Sequence, residues 1–223
     1  SIVAAVREGR TVRDNLQKVI SFELPTNAGE ALTVVAALLL GYALPITAVQ
    51  ILWVNLITGI TLGLALAFEP TEAGTMARPP GPRTAPVLTG FILWHVVLVS
   101  VLFVIAVFGV FLFALEQGHS LPLAQTMAMN TLVVLEIFHL FFIRNIHGTS
   151  LTWSAVKGTP VVWAVVLAIT AAQFAVTYLP PAQVLLGTES VPLGQGLMIV
   201  AVGVLFLAVV EVEKQIRLAL FRP

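Results

Sequence analysis

The chain has 223 residues, of which 58% are hydrophobic and only 10% are charged, and its formal net charge at pH 7 is +0. Soluble globular domains contain about 25% charged residues, so this composition excludes an ordinary soluble globule. The balanced charge does not indicate a nucleic-acid partner. Because the chain has no cysteine, disulfides, thiolate nucleophiles, thiolate zinc sites and iron–sulfur clusters are also excluded.

Six segments of the chain are long and apolar enough to cross a membrane, which takes about 20 mostly apolar residues in a helix. Their only charged residues are Glu30 and Glu136. We therefore predict an all-α membrane protein whose six transmembrane helices pack as a bundle. The predicted spans are residues 24–44, 45–68, 84–115, 121–143, 160–179 and 192–210.

The positions of the basic residues predict how these spans are oriented. All 11 Lys and Arg residues precede the first span or follow the second, fourth and sixth spans. Lys and Arg in short flanking segments are retained in the cytoplasm, so we expect both termini to be cytoplasmic. Residues 69–83, with the helix-breaking cluster Pro79-Pro80-Gly81-Pro82, are predicted to form a cytoplasmic loop. The later four spans then occupy residues 84–217, and residues 218–223 form a cytoplasmic tail.

Residues 1–23 differ from the rest, because apolar side chains recur there at roughly helical spacing among charged ones. This pattern predicts an amphipathic helix that projects into the cytoplasm as a stalk and continues into the first span. Its apolar stripe is expected to face a partner outside this chain. Residue 1 is Ser rather than Met, so we expect the chain to be a piece of a longer polypeptide.

Two carboxylates lie inside predicted spans, Glu30 on the first and Glu136 on the fourth. A charge at the bilayer centre costs at least about 2.5 kcal/mol, so both residues are candidates for function rather than packing. Stripes of oxygen ligands on three helices are typical of a site for a hard cation such as Ca²⁺, Mg²⁺ or an alkali ion. Further oxygen-bearing side chains recur at helical spacing on the first two spans: Glu23, Asn27, Asn55, Thr58 and Thr61.

The same residues also allow purely structural interpretations. Asn and Thr side chains in membrane helices often only join neighbouring helices, for about 0.6 to 2 kcal/mol each. Gly59 and Gly63 on the second span permit close helix packing, or they weaken the helix so that it unwinds and frees backbone carbonyls for a cation. Glu23 stands next to the predicted cytoplasmic end of the first span, where the lipid headgroup layer would also accommodate it.

The histidines raise a separate question. Glu136 and His139 form a Glu-x-x-His pair of the kind that binds di-iron in helical bundles, but the chain has no second copy of it. A neutral His139 that is hydrogen-bonded by a neighbour is therefore favoured over a metal ligand, with a pH-sensitive contact to Glu136 as an alternative. His95, at the start of the third span, is predicted to lie at the membrane interface.

Four runs of the sequence stand out together: Asn27-Ala-Gly-Glu30, residues 45–58 (PITAVQILWVNLIT), Phe68-Glu-Pro70 and Met76-Ala-Arg78-Pro-Pro80. They resemble the carboxy-terminal half of P-type cation-transporting ATPases of the calcium-pump and sodium-pump type. Around the second span the chain is similar to bacterial members of uncertain ion preference. The resemblance covers essentially the whole chain, and it implies that the six spans are membrane helices five to ten.

The resemblance also implies a set of cation ligands. Asn27 and Glu30 match the ligands of helix five. Asn55 and Thr58 match those of helix six, and Glu136 matches the carboxylate of helix eight. With one nearby hydroxyl added, the predicted cation site consists of Asn27, Glu30, Asn55, Thr58, Thr61 and Glu136.

One departure from the family changes the expected chemistry. In the calcium pumps an aspartate that bridges two ion sites would follow Thr58, whereas this chain has Gly59. Ca²⁺ takes about six to eight oxygens and gains affinity with ligand charge, so the loss of a shared carboxylate disfavours a two-calcium arrangement. We therefore hypothesise one remaining site, or a site for a different cation, that is anchored by Glu30 and Glu136.

The resemblance implies that the chain is the ion-translocating membrane portion of an ATP-driven pump. ATP and Mg²⁺ would act in upstream domains of the same polypeptide. The chain itself has no phosphate-binding loop and no Ser-His-Asp arrangement, so it should not hydrolyse ATP alone. The expected partners are those upstream domains with helices one to four, the lipid bilayer and the transported cation, without nucleic acid. The expected location is a bacterial plasma membrane.

Two alternatives stay open at this point. In a secondary transporter, Glu30 and Glu136 would carry protons, and transport would depend on an ion gradient rather than on ATP. In a membrane subunit without transport, the replacement of either carboxylate by Gln would leave the function of the parent protein intact.

Overall fold

The structure is a computed structural model that describes residues 1–71, 74–77, 79, 90–144 and 159–220. The described residues form helices and their connections, without a strand among them. The all-α prediction is thereby confirmed for this part of the chain. The α-helices are α1 (Ile2–Leu40), α2 (Ala48–Val54), α3 (Ile60–Ala67), α4 (Gly90–Glu116), α5 (Leu121–Ile143), α6 (Pro160–Tyr178), α7 (Pro180–Leu186) and α8 (Leu193–Leu220).

Five helical segments in the described ranges are long and apolar enough to cross a membrane, and they correspond to the last five predicted spans. The first predicted span lies in the second half of α1, where Glu23, Asn27 and Glu30 lower the mean hydropathy, and it is not one of the five. Six spans and cytoplasmic termini therefore stay predictions. The five segments are Ala48–Ala67, Gly90–Glu116, Leu121–Ile143, Pro160–Tyr178 and Leu193–Leu220.

Parts of the predicted layout fall outside the described residues. These parts are most of the proline cluster in the predicted loop, the first residues of the third span, the connection after the fourth span and the end of the tail. Their positions are residues 80–82, 84–89, 145–158 and 221–223.

α1 is one uninterrupted helix of 39 residues that contains both the predicted stalk and the predicted first span. It ends at Gly41, whose φ of 73° is the left-handed conformation that favours glycine at a helix C-terminus. Pro25 lies inside the helix, and its carbonyl accepts a hydrogen bond from the Ser100 hydroxyl at 3.1 Å. The predicted stalk and the helical part of the predicted first span are thus one continuous helix.

A π-helical turn at Asn55–Gly59 joins α2 and α3 into one continuous helical segment. Its backbone stays hydrogen-bonded, because the Ile60 N–H donates to the Asn55 carbonyl five residues earlier. Gly59 thus lies in a widened turn and Gly63 in regular helix, and the helix is not unwound at either residue. π-turns occur mostly as single turns inside α-helices and are frequent at functional sites.

α5 is the central helix, and most of its residues are buried. It packs against α4 and α8, while α1 packs against α4 and α3. Glycine permits the closest helix approaches: a Cβ on Gly29 would lie 2.7 Å from the Cβ of Phe103, and one on Gly203 would lie 2.6 Å from Cγ1 of Val134. This packing places α1, the π-turn and α5 side by side.

Candidate cation site

Glu30 on α1 and Asn55 at the start of the π-turn are joined by a hydrogen bond. The Asn55 side-chain amide donates to Glu30 Oε2 at 2.9 Å and also to the carbonyl of Ile51 at 3.1 Å. Glu30 is buried, with 6% of its surface exposed. The bond therefore joins the two helical segments that carry most of the predicted ligands.

Glu136 lies on the central helix α5, and 1% of its surface is exposed. The Thr58 side chain lies next to its carboxyl group, and Glu30 and Glu23 are near enough to act on it electrostatically. The Thr58 hydroxyl donates to the backbone carbonyl one turn earlier at 2.7 Å, so its oxygen lone pairs remain available to a ligand. Four predicted residues from three elements thus lie together: Glu30, Asn55, Thr58 and Glu136.

Each of the two buried carboxylates has one oxygen without a hydrogen-bond partner among the described residues, Glu30 Oε1 and Glu136 Oε2. No ion pair in that part of the chain joins either group to a basic side chain. Buried polar groups are usually hydrogen-bonded, and an uncompensated buried charge is costly. The donor set of two carboxylates, an amide and a hydroxyl fits a hard cation.

Asn27 and Thr61, the other two predicted ligands, do not join this group. Asn27 is exposed, and its amide donates to the backbone carbonyl of Glu23 at 2.9 Å and to Glu23 Oε2 at 3.4 Å. The Thr61 hydroxyl donates to the carbonyl of Ile57. Neither side chain forms a hydrogen bond with the other predicted ligands within the described ranges, so a role for them as ligands stays a prediction.

The acidic groups of this region do not form a compact metal cluster. Within the described residues, no group of three or more His, Cys, Asp or Glu side chains is arranged to hold a metal ion. A cation at this site would therefore depend on the neutral oxygens of Asn55 and Thr58 as well as on Glu30 and Glu136. The alternative is a movement that draws the carboxylates closer together.

Comparison with known proteins gives the family of the chain. Residues 43–216 match the family described as "Cation transporting ATPase, C-terminus". The chain belongs to this family of cation-transporting ATPases. The resemblance predicted from the sequence runs is thereby confirmed.

Relatives of this ATPase segment are similar over much of its length. "Probable cation-transporting ATPase F" of Mycobacterium tuberculosis is 44% identical over 216 residues, which cover 96% of this chain and 23% of that protein. "Cation-transporting ATPase pma1" of Synechocystis is 41% identical over 146 residues, 66% of this chain and 16% of that protein. "Calcium-transporting ATPase" of Bacillus subtilis is 30% identical over 201 residues, 90% of this chain and 22% of that protein.

The segment therefore spans less than a quarter of the length of these three relatives. It is the C-terminal membrane part of a P-type ATPase. Together with the five apolar helices, this membership makes it a multi-pass integral membrane protein.

Glu23 is absent from the predicted set of ligands, although it lies beside the site. Its half-buried carboxylate lies against Gly59 in the π-turn and Gly63 in α3. The signal in the sequence is the spacing of seven residues between Glu23 and Glu30, which places both on one face of α1. The sequence alone does not show that the facing positions on the neighbouring helix are glycines.

His95 and His139 form a buried pair between α4 and α5. Their Nε2 atoms are 3.0 Å apart, and their rings stack with centroids 5.2 Å apart. His95 is 3% exposed. Its side chain faces α5, where it also stacks on Phe142, and its position at the membrane interface stays a prediction. The hydrogen-bonding neighbour of His139 is thus His95, and no hydrogen bond between His139 and Glu136 occurs among the described residues.

Proposed function

We propose that this chain is the ion-translocating membrane portion of an ATP-driven pump and that it binds a cation between α1, the π-turn and α5. The observation that carries the proposal is the pair of buried carboxylates, Glu30 and Glu136, each with an oxygen that no described residue satisfies. Like charges in a buried space repel each other, and burial disfavours both of them. A bound cation would offset both costs.

The core of the proposed site consists of Glu30, Asn55, Thr58 and Glu136. Asn27 and Thr61 would join it after a movement of α1 or α3. Two carboxylates with neutral oxygens suit a single Ca²⁺ ion, and they also suit Mn²⁺ or an alkali cation. The calcium-transporting relative of Bacillus subtilis makes Ca²⁺ the first cation to test.

Coupling to ATP would occur through α1. We propose that the second half of α1 is the first of six spans, that residues 1–23 form a cytoplasmic stalk, and that both termini are cytoplasmic. ATP and Mg²⁺ would act in upstream domains of the same polypeptide. An uninterrupted helix of 39 residues is about 58 Å long, so a movement of the stalk would shift Glu30 relative to Asn55 and change access to the cation.

A proton-coupled secondary transporter is the second candidate. The same unpaired oxygens of Glu30 and Glu136 favour it, because protonation would also remove the cost of two buried charges. This candidate requires no ATP. It predicts transport that follows a proton gradient.

Cation-stimulated ATP hydrolysis by the full-length polypeptide tests the proposal. We expect Ca²⁺, Mn²⁺, Na⁺ or K⁺ to stimulate hydrolysis. Glu136→Gln should raise the half-maximal cation concentration by about ten- to a hundredfold, because it removes a charged ligand. Glu116→Gln, at the exposed end of α4, is the matched control and should behave as the unmodified protein does.

Two results would contradict the pump. One is stimulation that is unchanged in both Glu30→Gln and Glu136→Gln, which would support a membrane segment without a transport site. The other is transport into vesicles that continues without ATP and collapses with the proton gradient, which would support the secondary transporter.

A further inference from the structure

The Glu23 carboxylate shares a small space with the side-chain oxygen of Asn55. A Cβ on Gly63 would lie 2.8 Å from Glu23 Oε1, and a Cβ on Gly59 would lie 3.7 Å from Glu23 Oε2. The same point at Gly59 is 3.8 Å from Asn55 Oδ1. Both oxygens therefore border the space that the missing side chain of Gly59 leaves beside the π-turn.

This space adjoins the pair of buried carboxylates. Asn55 borders both the space and the carboxylate pair. Its amide nitrogen donates to Glu30 Oε2 at 2.9 Å, and its side-chain oxygen lies beside the same Gly59 position as the Glu23 carboxylate. Glu23 acts electrostatically on both Glu30 and Glu136. Those two groups are more than nine-tenths buried, and each keeps one oxygen without a partner among the described residues.

Glu23 itself has little to compensate its charge. Its carboxylate accepts one long hydrogen bond, of 3.4 Å, from the Asn27 amide. Within the described part of the chain, no basic side chain forms an ion pair with it. Three acidic groups thus act on one another without a cationic side chain between them, which is an arrangement that a mobile cation stabilises.

We propose that Glu23 is a third cation-binding carboxylate, which holds the ion on the side of the site next to Gly59 and Gly63. The inference rests on the proposed function and deepens it. Glu23 precedes Glu30 by seven residues, about 10 Å along α1, so the two carboxylates mark successive positions on one path. The cation would pass from Glu23 and the Asn55 oxygen to Glu30 and Glu136.

The two glycines make room for this third carboxylate. A Cβ at Gly63 would approach Glu23 Oε1 more closely than side-chain atoms pack, so any side chain there displaces the carboxylate. A Cβ at Gly59 meets its neighbours at ordinary contact distances. An aspartate at residue 59 would therefore place its carboxylate in the space that Glu23 now borders.

Moving the charge from α1 to the π-turn tests the inference. The assay is cation-stimulated ATP hydrolysis by the full-length polypeptide, with Ca²⁺, Mn²⁺, Na⁺ and K⁺ as separate probes. Glu23→Gln should raise the half-maximal concentration of the stimulating cation by about ten- to a hundredfold. Gly59→Asp in the Glu23→Gln background should restore most of the loss, whereas Gly59→Asn, which has the same shape without the charge, should not.

A second pair of variants tests the need for space. Gly63→Ala should weaken stimulation, but less than Glu23→Gln does, because the added methyl group shifts the carboxylate without removing its charge. Gly109→Ala is the matched control, since a Cβ at this helical glycine meets nothing within 4 Å. Thermal unfolding of each variant in detergent shows whether it is folded.

The possible failures are distinguishable. If Glu30→Gln and Glu136→Gln weaken stimulation while Glu23→Gln leaves it unchanged in a folded protein, the proposed function survives and the role of Glu23 is wrong. An equal rescue by Gly59→Asn and Gly59→Asp would also overturn it, because shape and not charge would then be responsible. If no probe cation stimulates the unmodified protein, the proposed function fails, and this inference fails with it.

Discussion

The residues of the candidate cation site are distinguished by buried side-chain oxygen atoms. Glu30 and Glu136 could be selected from the sequence because a charge in lipid is costly whatever the fold. Asn55 and Thr58 followed from their spacing and from the family resemblance. The position of the Glu23 carboxylate could not be predicted, because it lies against glycines that are 36 and 40 residues away along the chain. Spacing on one helix does not show which positions of the facing helix are glycines without a side chain.

Asn55 gives a prediction at this scale. Asn55→Ala removes the 2.9 Å hydrogen bond to Glu30 Oε2 and leaves both oxygens of a buried carboxylate without a partner. We expect a loss of about 1 to 3 kcal/mol in the free energy of unfolding and a higher half-maximal cation concentration. Thermal unfolding and cation-stimulated ATP hydrolysis measure the two effects.

Asn27→Ala is the control for this prediction, because Asn27 is exposed and, among the described residues, its amide donates only to Glu23 on its own helix. Its unfolding temperature should change much less than that of Asn55→Ala. An equal or larger destabilisation by Asn27→Ala would show that the bond between Asn55 and Glu30 has no special importance.

Helix boundaries show how far hydropathy alone predicts the elements. α5 begins and ends at the predicted residues 121 and 143, because Ser120 caps its start and apolar residues fill its length. α8 continues ten residues past the predicted span, to Leu220, since charged residues end an apolar run without ending a helix. There Lys214 Nζ lies 2.9 Å from Glu211 Oε2, an ion pair between successive turns. Hydropathy did not predict the π-turn at Asn55–Gly59, because the turn lies inside one apolar segment, Ala48–Ala67.

Gly29 gives a prediction at the scale of the helices. Gly29→Ala would place a Cβ 2.7 Å from the Cβ of Phe103 on α4. Because this distance is too short, α1 would have to move away from α4 at residue 29, next to Glu30. We expect a loss of about 1 to 3 kcal/mol in stability, measured as a lower unfolding temperature in detergent.

Gly109→Ala is again the matched control, because its Cβ would lie in open space and alanine favours a helix over glycine by about 1 kcal/mol. This variant should be as stable as the unmodified protein or more stable. If Gly29→Ala is no less stable than Gly109→Ala, the close approach of α1 and α4 is not under steric constraint.

At the scale of the whole chain, one polar network joins the segments that would have to move together. The Asn15 amide on α1 donates to the carbonyl of Ala67, the last residue of α3, at 3.1 Å and to that of Glu69 at 2.7 Å. The Glu69 carboxylate in turn pairs with Arg144 Nε at 2.7 Å, at the end of α5. Hydrogen bonds that are buried or partly buried thus join one end of α1, the end of α3 and the end of α5. These helices carry Glu30, follow the π-turn and carry Glu136, respectively. Sequence patterns do not reveal such a network, because its members lie far apart along the chain.

The most direct test of the central claim is a structure of the full-length polypeptide determined with its stimulating cation at saturation. We predict density for one ion that contacts an oxygen of Glu30 and an oxygen of Glu136, at about 2.3 to 2.6 Å if the ion is Ca²⁺. Density for the cation elsewhere, with both carboxylates bonded only to protein or water, would contradict the account.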